Sequence, residues 1–274
     1  MKIDNATIPR FIDAHAHLEL EPLFRDYEGV VTRARQAGLA AIVTVGIDLE
    51  DATRAMQIAH QYDDVFVCMG YHPHNAKYAG ASELAQMQEM ASDPKVVGYG
   101  EIGLDFFRNH SPRDIQISIF DEQIRIAGTL KKPVVIHLRD AYDKGLSMLE
   151  KSAPFPSAGV IHCFSGNEDD ARRALDLGFY ISIPGTVTYK NNHQLRSIVE
   201  KIPDDRILLE TDCPFLAPEP LRGKDNEPAF IVHTAKKVAE VRGTTLENIG
   251  KTSTGNACVL FRLPRHIAGQ SQTA

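Results

Sequence analysis

The chain of 274 residues lacks most of the features that would place it in several common classes. Its four cysteines, Cys68, Cys163, Cys213 and Cys258, lie far apart with no C-x-x-C pair. That spacing argues against a disulfide framework or a structural zinc site, and a reducing, cytoplasmic setting is expected. No apolar run approaches the ~18 residues of a membrane span, and the polar start Met1-Lys-Ile-Asp-Asn5 lacks a signal-peptide core. No membrane partner is therefore expected. Neither Gly-x-Gly-x-x-Gly nor a P-loop occurs, so a nucleotide cofactor has no support. Positive charge is also short: 30 Lys and Arg against 36 Asp and Glu leave a net −6. Broad wrapping of duplex nucleic acid needs a basic face and is excluded on that ground.

Apolar content of 43% and charged content of 24% are those of an ordinary globular enzyme, long enough to bury a large core. Apolar, β-branched runs recur near 11–17, 41–47, 65–71, 96–102, 133–138, 159–164, 179–184 and 206–211. Their starts are roughly 20–37 residues apart, the length of a strand, two loops and a helix. The segments between them carry helix signals. Asp48 with Glu50 and Asp51 starts one helix, which runs through Ala52, Ala55, Met56 and Ala59. Ser111-Pro112-Arg-Asp114 reads as an N-cap and a first-turn proline, with Ile115, Ile119 and Ile126 near one face. Asn167-Glu-Asp-Asp170 caps another helix that Gly178 ends, and a final helix opens at Pro228 and stops near Gly243. Eight β and α units in alternation predict a single α/β domain over 1–274, a (β/α)₈ TIM barrel. An open doubly wound sheet is the alternative, but it would gather its ligands at one switch point.

Histidine and carboxylate recur at or just past the C-terminal ends of five runs. The segments are Phe11-Ile-Asp-Ala-His15-Ala-His17, Val96-Val-Gly-Tyr-Gly-Glu101, Val134-Val-Ile-His137, Gly159-Val-Ile-His162 and Arg206-Ile-Leu-Leu-Glu-Thr-Asp212. These are the residue types that hold catalytic divalent metals, and a barrel brings such strand ends together. Residues two apart on a strand share a face, so His15 and His17 both point inward, with Asp13 one layer below as an anchor. Any one histidine alone would read as structural, Glu101 as a salt-bridged rim acid and Asp212 as a helix cap. Six such residues at equivalent positions do not. Six ligands exceed what one catalytic metal takes, so a two-metal site bridged by one carboxylate follows. Glu101, on a strand between those of His15/His17 and His137/His162, is the natural bridge. Asp212 can ligate one metal and take a proton from the attacking water.

With their surroundings, these residues resemble the TatD-type metal-dependent deoxyribonucleases, within the amidohydrolase-like barrels. The resemblance covers about residues 10–262, with 263–274 as a C-terminal tail. It rests on Phe11-Ile-Asp-Ala-His-Ala-His-Leu18, Gly70-Tyr-His-Pro-His74, Gly100-Glu-Ile-Gly-Leu-Asp105, Pro133-Val-Val-Ile-His-Leu-Arg139, His162-Cys-Phe-Ser-Gly166, Leu208-Leu-Glu-Thr-Asp-Cys-Pro214 and Arg222-Gly-Lys-Asp-Asn-Glu-Pro228. It implies that His15, His17, Glu101 and Asp212 hold one metal and that Glu101, His137 and His162 hold the other. It also implies that His72 faces the substrate beside them. All these positions carry the expected residue.

Around that centre, Arg139, Arg222 and Lys224 lie in rim loops where an arginine can grip phosphate oxygens in pairs. Solvation alone also accounts for loop cations, for Lys224 above all. His74 reads either as a phosphate donor or as a loop brace. Cys163 and Cys213 flank ligands but lack a base of their own and read as small packing residues. His60, His193, His233 and His266 read as surface residues, and His110 lies in the loop after the fourth strand.

The resemblance implies a hydrolase with two divalent ions (Mg, Mn or Zn) acting as a 3′→5′ exodeoxyribonuclease on single-stranded or frayed ends. Catalysis then falls to Asp212, Glu101 and His72, and the substrate-binding residues are His72, His74, Arg139 and Arg222. Two other readings share the chain. One is ester hydrolysis of D-aminoacyl-tRNA at the same metals, which also presents a nucleic-acid 3′ end. The other is a barrel used only as a binding scaffold, which a missing ligand would have favoured.

Overall fold

Short runs of Val, Ile, Leu and Phe, too short for helices and buried along almost their whole length, pair side by side as parallel strands. The computed structural model describes residues 10–264 and 266–267. The polar start at Met1–Asn5 and most of the 263–274 tail lie outside them. Among the described residues eight strands run in sequence order: β1 Phe11–Ala16, β2 Leu39–Gly46, β3 Val65–Met69, β4 Val96–Asp105, β5 Val134–Arg139, β6 Gly159–Ile161, β7 Tyr180–Ile183 and β8 Ile207–Leu209. The edge strands meet through Asp212 N–H to His15 O at 2.9 Å and His17 N–H to Cys213 O at 2.8 Å. The expected (β/α)₈ barrel is what the chain forms.

Helices fill the outer ring: α1 Tyr27–Gln36, α2 Leu49–Ala59, α3 Ala81–Met90, α4 Arg113–Leu130, α5 Tyr142–Ser152, α6 Glu168–Asp176, α7 His193–Val199, α8 Ile231–Val241 and α9 Leu246–Leu260. None is long and apolar enough to cross a membrane. The Asp48 cap holds, its side chain accepting from Asp51 N–H. Asn167 and Asp170 form a reciprocal capping box, and Gly178 takes a left-handed φ of 78° just past α6.

Three local expectations change. Ser111 does not cap α4, which starts at Arg113; its hydroxyl instead donates to His74 O at 2.8 Å and accepts from Lys77 N–H. The buried face of α4 is carried by Gln116, Phe120, Gln123, Ile124 and Ala127 with Ile126, while Ile115 and Ile119 are half-buried. The helix ending near Gly243 is not the last, because α9 follows it and packs along β1 and β8.

Side chains alternate between two apolar layers. Phe11, Ile42, Val67, Ile136, Ile181 and Leu209 join the helices, while Ile12, Val43, Phe66, Val135, Val160 and Leu208 fill the barrel. The N-terminal mouth is closed by Ala257, Leu260, Phe261, Leu263 and Ile267, which belong to that inner layer.

Of the register shifts along the barrel, two lie beneath the candidate ligands. The β1–β2 register shifts between Asp13 and Ala16, and the β4–β5 register shifts between Tyr99 and Ile102. Ile12 and Ala14 lie in the barrel layer, yet Ala16 and Leu18 lie in the helix layer, so one step is gained before His15. Asp13 therefore does not sit one layer below the histidines. Its carboxylate crosses to β8, accepting from Thr211 N–H at 2.9 Å and Thr211 O–H at 2.5 Å.

On β4, Gly100 and Gly103 have φ of 144° and 145°, and a Cβ at either would strike the β5 backbone, at Val135 O and His137 O. Only glycine allows that approach. β4 also continues to Asp105, so Glu101 lies within the strand rather than at its end.

Candidate metal centre

The slipped β1 directs His15 and His17 into the C-terminal mouth, and the kinked β4 sets Glu101 opposite them. His137 comes from β5, and His162 and Asp212 come from the residues just past β6 and β8. All six converge. The two oxygens of Glu101 divide them: Oε2 lies 3.4 Å from His15 Nε2 and 3.8 Å from His17 Nε2. Oε1 lies 2.6 Å from His137 Nδ1 and 2.7 Å from His162 Nε2. Asp212 Oδ1 closes the first group at 3.6 Å from His17 Nε2 and 3.9 Å from His15 Nε2.

Two pairs of imidazole nitrogens face each other, His15 Nε2 with His17 Nε2 at 3.3 Å and His137 Nδ1 with His162 Nε2 at 3.2 Å. Lone pairs that close repel unless a proton or a cation lies between them. Three buried imidazoles, the partly buried His137 and two carboxylates with their donor atoms converging match the mixed N/O set of a divalent metal. The donor set fits.

His72, in the loop after β3, is buried and joins the second group, its Nε2 3.4 Å from Glu101 Oε1. Its Nδ1 accepts from His74 N–H at 3.1 Å, which leaves the ring proton on Nε2, pointing into the cluster. Burial, aided by the neighbouring His137 and His74, depresses its pKa to about 4 despite the Glu101 charge, so it is neutral. His74 is only partly buried and turns away, with its Nε2 2.8 Å from Asp105 Oδ2 and its ring edge-on to exposed His110 at 4.6 Å between centroids. It braces the loop.

Burial pushes the Glu101 carboxyl up, but the charge of His162 and hydrogen bonds from His137 and His15 hold it well below its ordinary value. Asp212 is likewise held low against burial, by a hydrogen bond from His17 and then by the charges of His162 and His15. Both are carboxylates at neutral pH. Burial depresses His15, whereas Glu19 lifts His17 and Glu101 lifts His162 well above the usual imidazole range against the same burial.

Three carboxylates behind the imidazoles were not expected. Glu19 Oε1 lies 2.9 Å from His17 Nδ1, with its other oxygen accepting from Thr44 O–H at 2.6 Å. Asp105 Oδ2 lies 3.5 Å from His137 Nε2, and Glu210 Oε1 lies 3.6 Å from His162 Nδ1. All three are fully buried. Such partners fix the tautomer and orientation of a metal-binding histidine. Spacing held a signal for two of them: Glu19 continues the H-x-H alternation, and Glu210 precedes Asp212 by two. His15 has no carboxylate behind it, and among the described residues the outer nitrogens of His15, His137 and His162 make no hydrogen bond, the last two facing their carboxylates at ion-pair distance only.

Of the expected phosphate contacts, Arg139 ends β5 on the rim with its guanidinium 4.1 Å over the Phe107 ring. Arg222 stands 4.5 Å over Tyr189. Lys224 is exposed, as are His60, His193 and His266, and His233 is half-buried on α8. Burial pushes the thiols of Cys163 and Cys213 well up, so neither is a nucleophile. Two surface depressions, one between α3 and α4 and one at the N-terminal end beside Arg10 and Tyr62, share no residue with the cluster.

Comparison with known proteins places the chain in a family. The family described as TatD related DNase matches residues 12–262. An uncharacterized metal-dependent hydrolase, YabD of Bacillus subtilis, is 40% identical over 92% of this chain and 98% of its own. The 3′-5′ ssDNA/RNA exonuclease TatD of Pectobacterium atrosepticum is 37% identical over 92% of this chain and 99% of its own. The crystal structure of YJJV, a TatD homolog from Escherichia coli, superposes with a TM-score of 0.89 at 32% identity, covering 94% of this chain and all of that one. The chain belongs to the TatD family and is a metal-dependent hydrolase.

Proposed function

We propose that this TatD-family hydrolase is a two-metal phosphodiesterase that removes nucleotides from the 3′ ends of single-stranded or frayed DNA. One observation supports it above the others: Glu101 turns one oxygen to His15 and His17 and the other to His137 and His162. That arrangement suits a carboxylate shared by two ions, with Asp212 completing the first set. When bound, such a pair supplies the Lewis acidity that polarises a phosphoryl group and acidifies water.

The chain's own residues do the rest. Asp212, ionised and with a side chain 13% exposed against 4% for Glu101, is the carboxylate that solvent reaches, and its oxygen not turned to His15 and His17 takes the proton from the attacking water. Neutral His72 offers the N–H at Nε2 to a non-bridging phosphoryl oxygen. Arg139 and Arg222, on the rim, bind the flanking phosphates. A relative with 37% identity along nearly its whole length carries the name of a 3′-5′ ssDNA/RNA exonuclease, which supports the substrate class.

The test is single-stranded DNA labelled at its 5′ end, incubated with the enzyme and Mg²⁺, Mn²⁺ or Zn²⁺ in turn, beside D-aminoacyl-tRNA. A ladder shortening from the 3′ end in at least one metal is the expected result. Deacylation of the tRNA with intact DNA would replace this reading with the ester-hydrolase one.

A further inference from the structure

The rim of the metal centre carries exposed aromatic rings that folding does not require. Among the described residues the large apolar side chains left mostly exposed are Tyr78, Phe107, Phe215 and Val259. The three aromatic ones all lie in loops that follow the C-terminal ends of strands β3, β4 and β8. Two of them flank the cluster on opposite halves. Phe215, 52% exposed, sets its ring edge-on to His17 with centroids 6.1 Å apart, beside the His15–His17–Asp212 group. Phe107, 54% exposed, is held beside the His137 half, because Asp105 Oδ1 accepts from its N–H at 3.0 Å while Oδ2 faces His137. Arg139 lies 4.1 Å over one face of Phe107, and Arg108 stands 5.7 Å from the same ring.

An exposed phenylalanine next to a charged centre is costly to keep in water and gains nothing from the metals. Flat rings interleaved with arginines are what a flexible single strand requires: rings for the bases, guanidinium groups for the phosphates. A protein of net charge −6 must gather its few cations locally to hold a polyanion, and here they stand over rim aromatics.

Building on the phosphodiesterase reading above, we propose that Phe215 and Phe107 are nucleobase-stacking platforms, one for each of the two bases flanking the scissile phosphate. Phe215 receives the base on the His17 side. Phe107, 54% exposed, receives the other, with Arg139 over its ring to meet the adjoining phosphate. Stacking is blind to base identity, so the enzyme accepts any sequence, while duplex ends, whose bases are already stacked on each other, enter only after fraying.

The experiment measures binding and cleavage separately. Binding uses fluorescence anisotropy with a single-stranded oligonucleotide whose 3′-terminal linkages are phosphorothioates. Three versions are compared: one intact, one abasic at the last position and one abasic at the position before it. Phe107→Leu and Phe215→Leu should each weaken binding of the intact strand roughly 5- to 150-fold, the worth of one stacked base. Each should show no further loss on the version that lacks its own base, and the two variants should single out different positions. Phe107→Trp and Phe215→Trp should restore wild-type affinity, which a mere packing role would not allow. Equal losses on intact and abasic strands, or no loss at all, would overturn the proposal. Base-dependent binding without hydrolysis of an unmodified strand would keep the stacking platforms and discard the nuclease reading. Hydrolysis with base-independent binding would do the reverse.

Discussion

The two ends of this barrel are built from the same eight strands and share almost nothing chemically. At the N-terminal end the interior holds Val43, Phe66, Val135, Val160 and Leu208, sealed by Leu260 and Phe261. At the C-terminal end the interior holds the imidazoles of His15, His17, His72, His137 and His162 with Glu101, Asp212 and the buried Glu19, Asp105 and Glu210. The change occurs within a single strand: on β1, Ile12 and Ala14 belong to the apolar plug, and after the register shift His15 and His17 belong to the cluster. Gly98 shows the plug side of β4, with Cys68 and Phe261 packed against it, and three residues later Glu101 is in the metal centre. The lower half contributes stability by burial, and the upper half places charge where burial penalises it.

Substitutions at the two ends should separate cleanly. The largest effect on activity is expected for Glu101→Ala, which removes the group common to both halves; hydrolysis should fall beyond detection while the barrel still folds, as circular dichroism would show. Asp212→Asn comes next, with turnover down ~10²–10⁴-fold, the usual worth of a general base. Saturating metal should not rescue it; full rescue would reduce Asp212 to a ligand and pass the proton to another group. Glu19→Gln, Asp105→Asn and Glu210→Gln form a milder tier, each weakening metal binding about 10- to 100-fold. Metal titration by calorimetry would measure that, and excess metal should restore most of the rate. Phe261→Ala stands at the other end of the scale: it should cost about 3–5 kcal/mol of stability and leave metal stoichiometry and KM unchanged. A Phe261→Ala protein that folds but loses metal would erase the distinction between the two ends.

How much of this was legible in the sequence depended on how local the signal was. The convergence of the six candidate residues could be read because each lies on or just past a short apolar run that becomes a barrel strand. The register shifts could not: a one-residue slip in β1 depends on pairing with β2 and β8, and simple alternation put Asp13 under the histidines when it bonds Thr211 instead. Ser111 followed by Pro112 has the form of a cap, yet its hydroxyl serves His74 O, a residue 37 positions away. Helix α9 was overlooked because Gly250, Ser253, Thr254 and Gly255 are weak helix formers; packing against β1 and β8 overrides their propensity. Glu19, Asp105 and Glu210 look like any acid until the imidazole each one faces is placed by another strand.

Metal content is the most direct test of the shared carboxylate. Native mass spectrometry of the wild type, Glu101→Ala and His137→Ala, each loaded with the ion that supports activity, counts ions per chain. Two ions in the wild type, none firmly held in Glu101→Ala and one in His137→Ala is the result predicted by a Glu101 that serves both halves. Equal loss in the two variants, or a single ion in the wild type, would contradict it.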